Sequence, residues 1–131
     1  MILIAIYAYF ATLKQADTAD VTAHYTVEAI PFLREFDTDH ATANSKYTEK
    51  IIQVNGIVSA TEQADSTINI KMIDSTTGSY IIFAFQEEHL HEASALNAGD
   101  IATIKGSCSG GVHSSILDAN FVSFKRSALV Q

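Results

Sequence analysis

The chain has 131 residues, of which 47% are hydrophobic, and this length and composition suit one packed domain. Fifteen acidic residues against eight basic ones give a formal net charge of −7, which disfavours the basic stripe typical of nucleic-acid-binding proteins. The single cysteine, Cys108, excludes an intramolecular disulfide and any metal site made of several cysteines.

The first thirteen residues, MILIAIYAYFATL, carry no charged side chain. The run is shorter than the roughly 20 apolar residues that span a bilayer. An apolar helix without a partner would nevertheless be an exposed patch on a soluble protein, which favours a lipid partner. We therefore predict a membrane anchor or export segment at residues 1–13, followed by a spacer at residues 14–24. A buried element of the domain is the alternative, and it would leave the protein in the cytoplasm.

Two helices are predicted in residues 25–47, where we expect them to pack on the rest of the domain. Residues 25–36 have the apolar spacing of an amphipathic helix, with Thr26 as its predicted N-cap. Asp37 is the predicted cap of a second, shorter helix at residues 38–46.

Five strand-like runs, rich in β-branched and aromatic residues, predict β-strands. They lie at residues 51–59, 67–73, 80–85, 101–109 and 115–124. A polar turn is predicted at residues 61–66 and a helix at residues 86–97, and Gly110-Gly111 is expected to end the fourth strand. The order β-β-β-α-β-β is typical of a five-stranded OB-fold barrel. We therefore predict a mainly β fold with helices, a barrel at residues 48–126 and a tail at residues 127–131.

Alternation along these strands also predicts which side chains share the core, because successive residues of a strand face opposite sides of a sheet. The predicted core residues are Ile52, Val54, Ile68, Ile70, Ile81, Phe83, Ile104 and Cys108.

Several short motifs resemble a bacterial OB-fold family that is similar to the tRNA-anticodon-binding domain. Residues 43–50 read ANSKYTEK, close to the family's A-N-x-K-Y-x-G-K, although Glu49 stands where the family usually has glycine. Residues 96–100 (LNAGD), 104–110 (IKGSCSG) and 117–120 (LDAN) resemble later segments of the family. The resemblance covers residues 26–124. It implies an OB-fold, a preceding anchor or export segment and, by analogy only, nucleic-acid binding.

Two local patterns invite a reactive or a metal-binding interpretation. Cys108 lies in G-x-C-x-G, the spacing of a nucleophile elbow, but a strand follows where an elbow needs a helix. We expect a buried core thiol instead. His89 and His91 lie among three glutamates, but side chains two residues apart on a helix point in different directions. We therefore predict a solvated acidic helix face, no metal, no cofactor and no enzymatic activity.

An OB-fold binds its ligand on the outer surface of the second and third strands and on nearby loops. The predicted ligand-binding residues are Thr67, Asn69, Lys71, Tyr80 and Ile82 on those strands, with Lys46, Tyr47 and Lys50 near the start of the first strand. One tyrosine and one lysine on the strands form a sparse version of the basic, aromatic groove of single-strand binders.

We therefore predict a non-enzymatic OB-fold binding module, membrane-tethered or exported, whose partner is a protein, a glycan or another polymer. We expect weak or no binding of single-stranded nucleic acid at physiological salt, because the chain is acidic. The alternative is a binding protein for single-stranded RNA or DNA.

Overall fold

The computed structural model describes residues 21–64, 67–85 and 87–130. The predicted anchor at residues 1–13 lies outside this part of the chain, as does the predicted spacer up to residue 20. Among the described residues, no helix combines the length and the apolarity that are needed to cross a bilayer.

Strands dominate the described part of the chain. They are β1 (Tyr25–Glu28), β2 (Ile51–Ile57), β3 (Ala60–Ala64), β4 (Thr67–Ile73), β5 (Tyr80–Phe85), β6 (Ile101–Ser114) and β7 (Ala119–Leu129). The helices are α1 (Ala29–Thr38), α2 (His40–Tyr47) and α3 (Leu90–Ser94), and a 3-10 turn at Glu87–His89 precedes the last of them. The prediction of a mainly β fold with helices is confirmed.

The strands form one sheet in the order β1-β2-β6-β7-β5-β4-β3. The β1–β2 and β5–β7 pairs are parallel, and the other pairs are antiparallel. No ladder of described residues joins the two edge strands, so the sheet is not closed and the predicted five-stranded barrel is not confirmed. Only Val58 and Ser59 separate β2 from β3, although these strands lie far apart in the sheet order.

The first predicted helix is wrong at its start. Residues 25–28 form β1, in which Thr26 pairs with Gln53 and therefore caps no helix. The half-buried Tyr25 and Val27 alternate with exposed residues, which is a strand pattern too short to be separated from a helix by sequence. Helix α1 begins at Ala29, and Pro31 lies in its first turn, where a missing backbone N–H breaks no helical hydrogen bond.

The second helix is present, but its cap is Asp39 rather than Asp37. The Asp39 carboxylate accepts hydrogen bonds from the backbone N–H of Thr42 at 3.2 Å and from the Thr42 hydroxyl at 2.7 Å. These bonds stabilise the charged carboxylate and lower the pKa of Asp39. The side chain of Asp37 turns instead toward β5 and β7, where it accepts hydrogen bonds from Ser79 and Asn120.

Three strand boundaries differ from the prediction because pairing partners, not local composition, determine them. Residues 61–64 of the predicted polar turn belong to β3, which pairs with β4. Gly110 and Gly111 do not end β6, because Gly110 takes a φ of 105° at a register shift that keeps the ladder with β7 intact. The last strand starts at Ala119 and extends to Leu129, so it runs beyond the predicted end at Phe124.

The predicted core is confirmed: all eight of its residues are between 0% and 6% exposed. Side chains from the two N-terminal helices close one side of this core. They are Phe32, Leu33 and Phe36 of α1 and Tyr47 of α2, each at most 2% exposed. Helix α3 adds the buried Ala93, and Leu90 and Leu96 pack against the core beside it.

Candidate ligand face

Five of the predicted ligand residues lie together on one surface, which we call the outer face: the solvent side of β4, β5 and β7. On β4, Thr67 is exposed and Asn69 and Lys71 are half-buried, and they alternate with buried isoleucines and a methionine. On β5, Tyr80 and Ile82 are half-buried and point the same way. Lys71 pairs directly with Ile82, so these side chains are neighbours.

The aromatic character of the outer face depends on a residue that sequence reasoning missed, Phe121. It lies on β7 directly beside Tyr80, because β5 and β7 pair in parallel. The two rings stack with their centroids 5.7 Å apart and an angle of 14° between their planes. Alternation around Val122 already indicated that Phe121 points outward, but only the tertiary structure brings β7 next to β5.

Tyr80 and Phe121 belong to a longer line of apolar side chains that crosses four strands. Tyr80 pairs with Ile73 on β4, and Phe121 pairs with Val112 on β6. We call these four residues the apolar row. Four adjacent strands place the ends of the row about 14 Å apart. Val112 is 53% exposed and Ile73 is 39% exposed, so the row is open to solvent at both ends.

The turn between β6 and β7 carries two further exposed apolar side chains. It contains Ile116 and Leu117, which are 94% and 67% exposed. Asp118 closes the turn with a φ of 50°, a left-handed conformation that aspartate tolerates better than most residues. Exposed apolar side chains that adjoin one another are more informative than scattered ones, because contiguous patches usually mark a binding surface.

Lys71 contributes less positive charge to the outer face than the sequence suggests. Its Nζ lies 3.1 Å from Oε1 of Glu62 on β3 and 5.0 Å from the centre of the Tyr80 ring. Because β4 and β7 flank β5, Lys71 and Phe121 approach Tyr80 from its two sides. The centre of the face is therefore aromatic and close to neutral.

The other three predicted ligand residues do not lie on the outer face. Tyr47 is only 2% exposed, and its hydroxyl donates a hydrogen bond to the Glu35 carboxylate. Burial raises the pKa of Tyr47. The Nζ of Lys46 lies 3.2 Å from Glu35 and 4.8 Å from the centre of the Tyr47 ring. Lys50 is exposed just before β2. Lys46 and Tyr47 thus form part of the packing around α2.

The structure gives the A-N-x-K-Y motif a structural role. Asn44 binds the backbone of Gly111 twice: Oδ1 accepts from the Gly111 N–H at 2.9 Å, and Nδ2 donates to the Gly111 carbonyl at 3.2 Å. Ala43 is buried beside it. Glu49 takes a φ of 68°, the left-handed conformation in which the family's glycine has no Cβ to strain. Glu49 thus adopts a conformation that suits glycine, at a cost of about 1 kcal/mol.

A second polar cluster holds α1 and α2 against the sheet. Nδ2 of Asn120 donates to Oδ1 of Asp37 at 2.7 Å, and the Ser79 hydroxyl donates to the same oxygen at 2.8 Å. The Oδ1 of Asn120 lies 2.9 Å from Nδ1 of His40 and 3.2 Å from Nδ1 of His113. These groups bond to one another, so the cluster fixes the helices rather than presenting free donors to a ligand.

The structure places Cys108 in the core and pairs His89 with a glutamate. Cys108 is fully buried, and burial raises the pKa of its thiol to about 11, so the thiol is protonated at neutral pH. The Nδ1 of His89 lies 2.6 Å from Oε1 of Glu92. Within the described residues, no three side chains of His, Cys, Asp or Glu converge as they would around a metal ion.

Comparison with known proteins places this geometry in a family. A crystal structure of a "putative nucleic acid-binding lipoprotein" from Klebsiella pneumoniae shares the fold, with a TM-score of 0.64 and 22% identity over 80% of this chain and 91% of that one. A "putative aspartyl-tRNA synthetase" from Leishmania major matches with a TM-score of 0.51 and 9% identity. The match covers 84% of this chain but only 21% of that one. No curated protein matches the sequence. The model of the tRNA_anti-like family matches residues 1–119, and the chain belongs to this family of OB-folds.

Proposed function

We propose that the chain is a non-enzymatic binding module that holds an extended polymer across its outer face. The apolar row of Ile73, Tyr80, Phe121 and Val112 is the observation that carries this proposal. The partly exposed aromatic pair offers apolar surface to the bases, sugar rings or apolar side chains of a ligand, while Phe121 and Lys71 hold the Tyr80 ring between them. A row that crosses the strands allows successive units of one polymer to contact it.

We also propose that β2 and β3 act as the two halves of one bent strand that closes a five-stranded barrel beneath this face. The backbone N–H of Val58 donates to the Asp100 carbonyl beside β6, and the next N–H, of Ser59, donates to the Lys71 carbonyl on β4, both at 2.8 Å. The chain thus passes from one end of the sheet order to the other within two residues. Such a bend would make the outer face convex and rigid.

Charge favours a protein or a glycan as the polymer. The chain has a net charge of −7, and Glu62 offsets the one lysine at the centre of the outer face. A single-stranded nucleic acid is the second candidate, and the Tyr80–Phe121 stack with a lysine beside it supports it. The two candidates differ in their response to salt, because only the second releases counterions from phosphates.

Removing the aromatic rings tests the ligand face. The full chain is screened against labelled single-stranded oligonucleotides, oligosaccharides and peptides, and the ligand that binds is titrated at two salt concentrations. We expect Phe121→Ala to weaken binding by about tenfold, in line with roughly 1–3 kcal/mol per stacked ring. Ile101→Ala is the matched control, because Ile101 is 84% exposed but lies outside the apolar row. If neither Phe121→Ala nor Tyr80→Ala weakens the affinity, the ligand binds to another surface of the protein.

Salt then separates the two candidate ligands. An oligonucleotide affinity that is micromolar or tighter and falls steeply with salt would promote the nucleic-acid function over the first candidate. A salt-insensitive affinity for an oligosaccharide or a peptide supports the first candidate. In either case the variants of Tyr80 and Phe121 report whether the apolar row makes the contact.

We further propose that residues 1–13 tether the protein to a membrane or direct its export. The support is their uncharged apolar sequence, together with the fold that the chain shares with the Klebsiella lipoprotein. Cell fractionation and the mass of the mature chain test the proposal. We expect the wild-type chain either to associate with membranes or to lose this segment. The double substitution Ile4→Lys and Ile6→Lys should abolish both results, because each charge costs about 3 kcal/mol in a bilayer. An intact, wholly cytoplasmic wild-type chain contradicts the proposal.

A further inference from the structure

Strand β7 contains a bulge just beyond the outer face. Lys125 pairs with Ser107 and Ala128 pairs with Lys105, so β7 has one residue more than β6 between the two pairs. Arg126 lies in this bulge with a φ of 50°. A left-handed residue at such a position is normally glycine.

Arginine at this position strains the backbone, and glycine would not. The Cβ of an L-residue crowds the following carbonyl in the left-handed conformation, whereas glycine has no Cβ. Residues in this conformation cluster at functional sites, although Glu49 and Asp118, which also adopt it, lie in turns. The bulge therefore suggests that the Arg126 side chain has a task that outweighs the strain.

Lys125 and Arg126 are also the least neutralised cations near the outer face. Both are exposed, and neither forms an ion pair within the part of the chain that the structure describes. By contrast, Arg34, Lys46 and Lys71 each lie within 3.2 Å of a carboxylate. Two adjacent cations without an ion pair stand out on a chain with a net charge of −7. The acidic 3-10 turn Glu87–His89 also contacts β7, but neither of its glutamates forms an ion pair with them.

The two cations adjoin the apolar row along β7. Phe121, Ser123 and Lys125 share the solvent side of the strand, because Val122 and Phe124 between them are buried. Four residues of strand separate Phe121 from Lys125, a distance of about 13 Å. A polymer that stacks on the row could therefore reach the cations with a group one or two units further along.

We propose that Lys125 and Arg126 form a subsite for the phosphate groups of the polymer bound on the outer face. The proposal rests on the proposed use of that face and, of the two candidate ligands, it favours the one that carries phosphates. The planar guanidinium of arginine can bind two phosphate oxygens at once, and the lysine ammonium adds a second charge. The two residues are adjacent at the bulge, and no carboxylate among the described residues forms an ion pair with either of them.

The test uses a labelled phosphodiester oligomer without bases, so that stacking on the apolar row contributes nothing. We expect the full chain to bind it, and Arg126→Gly and Lys125→Gln each to weaken binding by about tenfold, the size of one charge-assisted hydrogen bond. Each substitution should also reduce the salt slope by about one ion. We expect Arg126→Gly to raise the melting temperature at the same time, because it relieves the strain in the bulge.

Two matched controls separate the side chain from the backbone and from net charge. Glu49→Gly relieves another left-handed turn, at a φ of 68°, and should raise the melting temperature without weakening binding. Arg34→Gln removes the same charge from α1, where the guanidinium pairs with Asp74, and should leave the affinity within about twofold.

Three results would overturn the subsite: no binding of the base-free oligomer, an affinity unchanged by Arg126→Gly, or a loss equal to that of Arg34→Gln. Binding of an oligogalacturonate instead, with the same dependence on Arg126, would also contradict the assignment to phosphate. A failure of the proposed apolar row would be seen in a different measurement. In that case Phe121→Ala and Tyr80→Ala would not weaken the binding of ligands that carry bases, sugars or apolar side chains.

Discussion

Replacing Phe83 with alanine is expected to lower the free energy of unfolding by about 3–5 kcal/mol. Phe83 on β5 is fully buried, and its ring lies 4.9 Å from that of Phe124, centroid to centroid. It pairs with Ile70 on one side and with Phe124 on the other, so it sits where β4, β5 and β7 meet. Truncation would remove apolar contacts and leave a cavity that three paired strands cannot easily collapse to fill.

Urea denaturation of the two chains measures this loss, and the next residue on the strand provides the control. Ile82 points outward and is half-buried, so Ile82→Ala should destabilise by less than about 1.5 kcal/mol. Equal effects of the two substitutions would contradict the assignment of inner and outer faces on β5. A loss below about 1 kcal/mol for Phe83→Ala would place Phe83 outside the core.

Replacing Asn44 with aspartate is expected to destabilise the chain by about 2–3 kcal/mol, although the two side chains have the same shape. The amide of Asn44 both donates to and accepts from the Gly111 backbone. A carboxylate at neutral pH only accepts, so the Gly111 carbonyl would lose its donor and face a negative oxygen. The Gly111 site cannot adjust, because Phe36 packs so closely that a Cβ on Gly111 would lie 2.8 Å from its ring.

Ser45→Asp is the matched control, since it adds the same charge to an exposed position of α2. We expect it to destabilise by at most about 1 kcal/mol, through repulsion from the helix C-terminus. Thermal or urea denaturation of the three chains gives the comparison. If Asn44→Asp and Ser45→Asp had the same effect, the bonds between Asn44 and Gly111 would not be what holds α2 against β6.

Strands β4 and β5 show where sequence reasoning works well. Their observed bounds, Thr67–Ile73 and Tyr80–Phe85, are those predicted, and the predicted inward side chains are buried. The sequence of β4 alternates strictly between polar and apolar residues, and a turn-forming segment separates it from the short apolar run of β5. Local physics suffices in such cases, because a one-residue slip would expose every apolar side chain.

The elements that were missed depend on partners distant in the sequence. Strand β1 has four residues and exists because it lies beside β2, so no local pattern separates it from the start of α1. Strand β3 is polar, and its pairing with β4 makes it a strand. Gly110 and Gly111 looked like the end of a strand, but β7 holds them in the ladder through a bulge.

The sequence by itself determined the mainly β fold, the eight core residues, the family resemblance and the outward direction of Lys71 and Tyr80, since each follows from local alternation or motif. Only the tertiary structure decided that Phe121 stacks on Tyr80, that Tyr47 is buried against Glu35 and that Arg126 is held in a left-handed bulge. The physical reason is the same for all three. Packing between residues far apart in the chain depends on strand order and register, which local periodicity does not specify.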